Sequence, residues 1–217
     1  MRLEGLYGRL RKRFGYLDWW PGETRDEIVI GAMLTQQTSW SNVEKAIASL
    51  KEADSLDFGK ISSMNLKRLE RLIRPSGFYR QKARRLKAFA SYVCGNYGST
   101  VAMFRKDADS LREELLSLDG IGPETADSII LYAAGNPTFV VDAYTRRIIS
   151  RIYGTEPDMD YDNLKTLITA NIKHDIELYS DFHAQFVELG KRHCRTRPIC
   201  GNCPAAGICR YNRMTNP

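Results

Sequence analysis

Apolar residues along this chain recur three and four positions apart in stretch after stretch, and hardly anywhere in strict alternation. The segment "MNLKRLERLI" sets Leu66, Leu69, Leu72 and Ile73 on one stripe. After the turn "RPSG" the same spacing resumes in "FYRQKARRLKAFASYV". Two capping-box patterns predict helix starts: Ser41 with Glu44, opening "SNVEKAIASLKEA", and Ser110 with Glu113, opening "SLREELLSL". About ten helices of ordinary length fit the chain, joined by short loops, with no internal repeat or low-complexity segment. The pattern predicts an all-α protein.

One junction between helical stretches is unusual. "SLREELLSL" and "ETADSIILYAAG" are separated only by "DGIGP", room for a helical hairpin and nothing longer. Glycine accepts the positive φ of such a corner and lets another backbone come close. Pro123 suits the first helical position, and Gly135 reads as the C′ residue that ends the second helix. Spacing alone favours an ordinary αα-hairpin. A glycine corner at a helix start also turns N–H groups outward, where they can hold a phosphate oxygen without reading sequence. Gly120, Ile121, Gly122 and Thr125 are the candidate contacts.

Charge favours the second reading. The 217 residues are 43% hydrophobic and 27% charged, with a net charge of +6 and a pI near 9.1. Basic residues gather at Arg9–Arg13, at Arg80–Lys87, and at Lys191, Arg192, Arg195, Arg197, Arg210 and Arg213, which points to a nucleic acid partner. No apolar run approaches a membrane span and the N-terminal stretch lacks an apolar h-region, so no membrane partner and a cytoplasmic, nucleoid-bound location are expected.

Downstream of the hairpin, the apolar "FVV" delivers Asp142 to a helix start. Capping is the common role of such an aspartate. Beside a phosphate-gripping corner, however, a carboxylate repels the same polyanion, unless it steadies positive charge developing on a sugar. Near the C-terminus Cys194, Cys200, Cys203 and Cys209 read C-x5-C-x2-C-x5-C. Four cysteines so close together suggest metal before disulfides. One short knuckle between two longer arms suits a [4Fe-4S] cube, with zinc as the alternative and His193 as a possible replacement ligand. Cys94 reads as a buried thiol, and the three histidines as structural.

In order, "MLTQQTSW", "RPSGFYRQKARRL", "LDGIGPETA", "GNPTFVVDAY" and the cysteine loop resemble the endonuclease III branch of the helix-hairpin-helix DNA glycosylases. The resemblance implies a six-helix domain over residues 19–134 and a cluster domain made of residues 1–18 and 135–217. It implies that Asp142 is the essential aspartate, that Gly120 and Gly122 hold phosphate, and that Gln37 fills the gap left by an extruded nucleotide. In bifunctional members a lysine stands where this chain has Glu124. A carboxylate forms no Schiff base, so water is the expected nucleophile and an intact abasic site the product. Adenine glycosylases carry a catalytic glutamate where this chain has Ala32. The 3-methyladenine glycosylase III type is similar in "DWWPG" (Trp19, Trp20), in "LTQQT" followed by Trp40, and in an acid at Glu124; its better-known members lack the cysteine loop. The expected substrate is therefore an alkylated purine in double-stranded DNA, bound by Trp19, Trp20, Trp40, Gln37 and Glu124 in a monomer. Two rival expectations are a uracil, mismatched-thymine or oxidised-pyrimidine glycosylase with lyase activity, and a lesion-binding protein without chemistry.

Overall fold

The computed structural model describes residues 2–17 and 20–215. The described residues form thirteen α-helices and no strand, the all-α architecture expected. The surplus over ten consists of one- and two-turn helices, too short to show a stripe. The chain divides into two compact units, residues 20–136, and residues 1–19 with 137–217.

The first unit is built around α2 (Arg25–Leu34), where six successive residues, Val29 to Leu34, are buried. A helix apolar on every side belongs in the middle of a core. Against it pack α3 (Trp40–Glu52), α6 (Tyr79–Asn96), and α9 (Pro123–Ser128) with its continuation Ile129–Ala134, which is wound as a π turn. Thr24 caps α2 by accepting from the Glu27 amide at 3.1 Å. The Asp26 carboxylate accepts from the Thr100 hydroxyl at 2.6 Å and the Phe58 amide at 3.0 Å, fixing two short helices to the α2 N-terminus.

Neither expected capping box forms. α3 starts at Trp40 behind Ser39, with no side-chain cap; Ser41 Oγ lies 3.0 Å from Ser39 Oγ instead. The Trp40 ring packs edge-on against Trp20, which draws the helix start back along the chain. α8 (Ala108–Ser117) is capped by Asp107, which accepts from the Ser110 amide at 3.0 Å. A carboxylate serves the positive end of a helix at least as well as a serine.

The basic stretch Arg80–Lys87 is also less of a surface patch than its charge suggests. Lys82 is buried, its Nζ donating to Leu34 O at 2.8 Å and Ser76 O at 2.6 Å. Lys87 Nζ donates to Ser62 O and Met64 O, each at 2.6 Å. Both side chains satisfy carbonyls left over at turns and helix ends, which the i, i+4 pattern of α6 hides.

In the second unit, α1 (Leu3–Phe14) buries Leu3, Leu6 and Leu10 against α12 (Ile176–Arg192). Phe182 stacks on Phe186 at 4.5 Å, and Phe139 meets both edge-on. The fully buried Asp181 carboxylate accepts from Tyr7 Oη (2.7 Å), Arg11 (3.0 Å) and the Leu17 amide (2.9 Å), tying the N-terminal segment down. α10 (Ala143–Tyr153), α11 (Tyr161–Thr169) and α13 (Arg210–Thr215) complete this unit.

Candidate functional site

The glycine corner follows the sequence expectation at the backbone and departs from it at the side chains. α8 ends at Ser117 and α9 begins at Pro123, with Gly122 in the N-cap position. Gly120 has φ +83°, whereas Gly122 is extended at −93°. Among the described residues, the amides of Gly120 and Gly122 donate no hydrogen bond within the chain, so both can meet an incoming oxygen. Ile121 and Thr125, expected as contacts, turn inward. Ile121 is 5% exposed in the core and its amide donates to Leu118 O; Thr125 is 8% exposed and its hydroxyl accepts from Gln36. A two-glycine corner needs an apolar anchor and an internal hydrogen bond to hold its shape, and Ile121 supplies both. Glu124 is exposed in the first turn of α9, where a carboxylate favours the helix dipole.

After α2, Gln37 lies exposed with φ +53°, a left-handed conformation that a residue with a Cβ adopts at a cost. The preceding Gln36 points inward, its Nε2 donating to Gly120 O at 2.9 Å and Thr125 Oγ1 at 3.0 Å. The glutamine turn and the glycine corner are thus joined directly. Phe78, before α6, is also left-handed (φ +45°) and holds a large ring 63% exposed.

Of the tryptophans, Trp20 and Trp40 come together with ring centroids 5.5 Å apart at 69°, while Trp19 lies outside the described residues. Tyr132, on the π turn, stacks on Trp20 at 4.8 Å, so Trp20 has one face covered. Trp20, Trp40, Gly31, Glu27 and Glu44 line a common pocket. Ala32 is buried in α2, away from solvent.

Asp142 is the N-cap of α10, its Oδ1 accepting from the Thr145 amide at 2.7 Å. Its side chain is 14% exposed, and Oδ2 lies 3.6 Å from Nε2 of His183 on α12. Burial pushes the carboxyl pKa up, but the His183 ring and the Thr145 donors outweigh it, leaving the group below its ordinary value. Asp142 is therefore both a cap and a carboxylate held ionised, so the two roles weighed for it are compatible.

All four C-terminal cysteines line one pocket, together with His193. Burial raises the Cys203 and Cys209 thiols above their ordinary values, and charge on the neighbouring cysteines acts in the same direction. Among the described residues no three His, Cys, Asp or Glu side chains converge on one ion-sized point. Two arginines of α10 grip this loop: Arg147 donates to Cys194 O at 2.8 Å, and Arg151 lies 3.4 Å from Cys194 Sγ. Cys94, expected as a buried thiol, is half-buried, because it packs at the edge of the first unit's core.

The family model for the HhH-GPD superfamily of base excision DNA repair proteins matches residues 30–174, from α2 through the hairpin and Asp142. The chain belongs to that superfamily. A Methanocaldococcus jannaschii protein, provisionally named a DNA repair glycosylase, is 47% identical over 206 residues, 94% of either chain. Endonuclease III of Thermotoga maritima is 30% identical over 86% of this chain and 83% of its own. A structure of endonuclease III with DNA superposes with a TM-score of 0.84 at 25% identity, covering 98% of this chain and 96% of that one. The H. pylori 3-methyladenine DNA glycosylase MagIII, bound to 1,N6-ethenoadenine, gives 0.77 at 29% identity, covering 88% and 98%. The HhH-GPD chain is a DNA N-glycosylase of base excision repair that acts on DNA. Among the described residues no helix is long and apolar enough to cross a membrane.

Several residues at these sites were invisible in the sequence. His183 stands 41 positions from Asp142 and on another helix, with no local spacing to link them. Tyr132 reaches Trp20 from a π turn, which periodicity read as plain α-helix. Gln36 differs from Gln37 only in direction. Phe78 had one available signal, an aromatic following Gly77 just outside a helical stripe.

Proposed function

We propose that this HhH-GPD protein is a monofunctional glycosylase that hydrolyses the N-glycosidic bond of a flipped alkylated purine, such as 3-methyladenine, acting as a monomer on duplex DNA. The observation that carries this reading is the Trp20–Trp40 pair, set in a pocket that also holds Glu27 and Glu44. An alkylated purine is cationic, and a cation over an indole face gains about 0.5–2 kcal/mol. Lys51 lines the same pocket and pairs with Glu27 at 3.0 Å, which leaves Glu44 as the carboxylate that favours the same charge. MagIII, bound to the purine adduct 1,N6-ethenoadenine, is a structural relative that supports this choice.

A cationic purine is already a good leaving group and needs no general acid. The C1′–N bond breaks with its electron pair going to the base, which departs neutral. Asp142, held ionised, stabilises the resulting sugar cation and takes the proton of the water that adds to C1′. Glu124 supplies no amine for a Schiff base. Burial lowers the Lys82 pKa to about 8, yet the residue is 5% exposed and its amine is engaged by two carbonyls, which removes it as a substitute nucleophile.

Four soft donors lining one pocket support the reading of a [4Fe-4S] cluster, with zinc as the alternative. Cys194, Cys200, Cys203 and Cys209 would hold it. Bound, it would cross-link the loop and keep the thiolates charged.

The test is a panel of duplexes, each bearing one lesion, with base release scored separately from nicking. Release of 3-methyladenine without strand cleavage is expected. Cleavage before alkali treatment, or trapping of a borohydride adduct, would overturn the monofunctional reading. Turnover confined to uracil, thymine or oxidised pyrimidines would overturn the substrate.

A further inference from the structure

We propose that Gln36 is a positioning residue that couples phosphate capture at the glycine corner to the seating of Gln37 in the duplex. The inference rests on the reading of Gln37 as the residue that fills the gap in flipped DNA. Both bonds of Gln36 end on the corner: Nε2 reaches Gly120 O at 2.9 Å and Thr125 Oγ1 at 3.0 Å. Gly120 carries the positive φ that shapes the corner, and its carbonyl shares a peptide group with the amide of Ile121, one peptide before the amide of Gly122. A phosphate drawn onto the Gly122 amide therefore acts on the peptide group adjoining the one that Gln36 holds.

On the other side, Gln36 is bonded through one peptide to Gln37, whose left-handed backbone persists only if its surroundings fix it. Two contacts do so. The buried Lys82 anchors Leu34 O, at the end of α2, and Gln36 anchors the turn itself. Lys82 also holds Ser76 O, two residues before the exposed Phe78. Without Gln36 the turn keeps its α2 anchor and loses its register to the hairpin. Gln37 would then sample other backbone conformations, and its side chain would no longer be preset for insertion.

An internal staple with no such role would reveal itself through stability alone, so the test uses DNA selectivity. Affinity is measured for a duplex with one tetrahydrofuran abasic analogue beside 2-aminopurine, and for the intact duplex of the same sequence, at one salt concentration. Gln36→Leu should leave intact-duplex affinity within about twofold, because the phosphate grip remains. The abasic-to-intact affinity ratio and the 2-aminopurine signal should fall about tenfold. Thr125→Val, which removes one acceptor and keeps the buried volume, should move both in the same direction by less, and serves if Gln36→Leu folds poorly. In the Gln37→Ala background, Gln36→Leu should add less than a twofold loss, since it acts through Gln37. Independent losses in the double variant, or an unchanged ratio in Gln36→Leu and Thr125→Val while Gln37→Ala loses it, would overturn the coupling. An unchanged ratio in Gln37→Ala would instead overturn the gap-filling reading beneath it.

Discussion

Gly120 and Gly122 look equivalent in the sequence, and alanine at each should have opposite consequences. At Gly120, φ is +83°, and an added Cβ would overlap Cδ of Arg85 and stand 2.5 Å from its Nε. A left-handed alanine costs about 1–2 kcal/mol. The Arg85 side chain can swing aside cheaply, because its partner Asp119 is exposed and 3.5 Å away, an ion pair worth roughly 0–1 kcal/mol. At about 2–4 °C per kcal/mol for a chain of this size, Gly120→Ala should lower Tm by about 2–8 °C. Gly122 is extended, and its added Cβ meets nothing within 4 Å. Alanine there fits the backbone and should gain about 0.4–1 kcal/mol by restricting the unfolded chain. The open space beside Gly122 is where a phosphate must approach. Loss of a charge-assisted hydrogen bond costs about 1.5–3 kcal/mol, roughly 10- to 100-fold in affinity. Thermal unfolding and fluorescence anisotropy with an abasic-analogue duplex, at fixed salt, measure the two effects separately. Unchanged DNA affinity in Gly122→Ala, or a Tm loss equal to that of Gly120→Ala, would refute the assignment of the corner as a phosphate site.

Asp142→Asn should reduce base release by about 10²–10³-fold or more while duplex binding persists; equal turnover would revive the non-catalytic reading. Because burial alone would raise the Asp142 pKa and the His183 ring offsets it, His183→Ala should shift the acidic limb of kcat to higher pH, and an unmoved limb would contradict this. The same depressed pKa means that Asp142 stabilises the fold above the ordinary carboxylate range and loses this contribution as pH falls through its folded value. Lys82 has the same sign of dependence in a more alkaline window: with a folded pKa of about 8, the unfolded chain binds more protons from there to about pH 10, so stability rises with pH. Urea unfolding of wild type against Lys82→Met should reveal a difference that changes by about 2–3 kcal/mol across that window, and a constant difference would count against the lowered pKa of Lys82. Cys203→Ser should abolish the brown colour and broad visible absorption of protein purified without oxygen, whereas a colourless wild-type protein containing zinc would replace the cluster.

What could be read in advance were properties carried by adjacent residues. The stripe through Leu69 and Ile73, Pro123 at the start of α9, Gly135 in its left-handed cap and Asp142 at its N-cap all depend on neighbours within one or two turns. Where tertiary contact competes with local chemistry, local chemistry lost. Ser41 had a good capping partner in Glu44, but the Trp40 ring is drawn to Trp20, and its packing outweighs a cap worth about 1 kcal/mol. Ile121 and Thr125 were given outward roles because the corner as a whole faces outward; a tight corner in fact divides its labour, exposing glycine amides and burying side chains. The cation count of Arg80–Lys87 likewise concealed two lysines committed to carbonyls.

Backbone strain shows most clearly why the rest was illegible. Four described residues other than glycine have positive φ: Trp20, Gln37, Asp54 and Phe78. Asp54 sits in a turn after α3, where aspartate is tolerated readily. Each of the other three is a large side chain in a conformation that costs about 1–3 kcal/mol, and no neighbouring residue in the sequence announces it. The unit of residues 20–136 supports that cost through its interior: Tyr132 stacks on Trp20, Gln36 ties the Gln37 turn to Gly120, and Lys82 holds the peptides ahead of Gln37 and Phe78. Polar groups buried for stability alone could be replaced by apolar ones with little loss. Here Gln36 and Lys82 hold the backbone ahead of two of those side chains, Gln37 and Phe78, while ring stacking holds the third. Burying Lys82 and turning Gln36 inward are therefore parts of the same device, in which a stable core preorganises a strained rim.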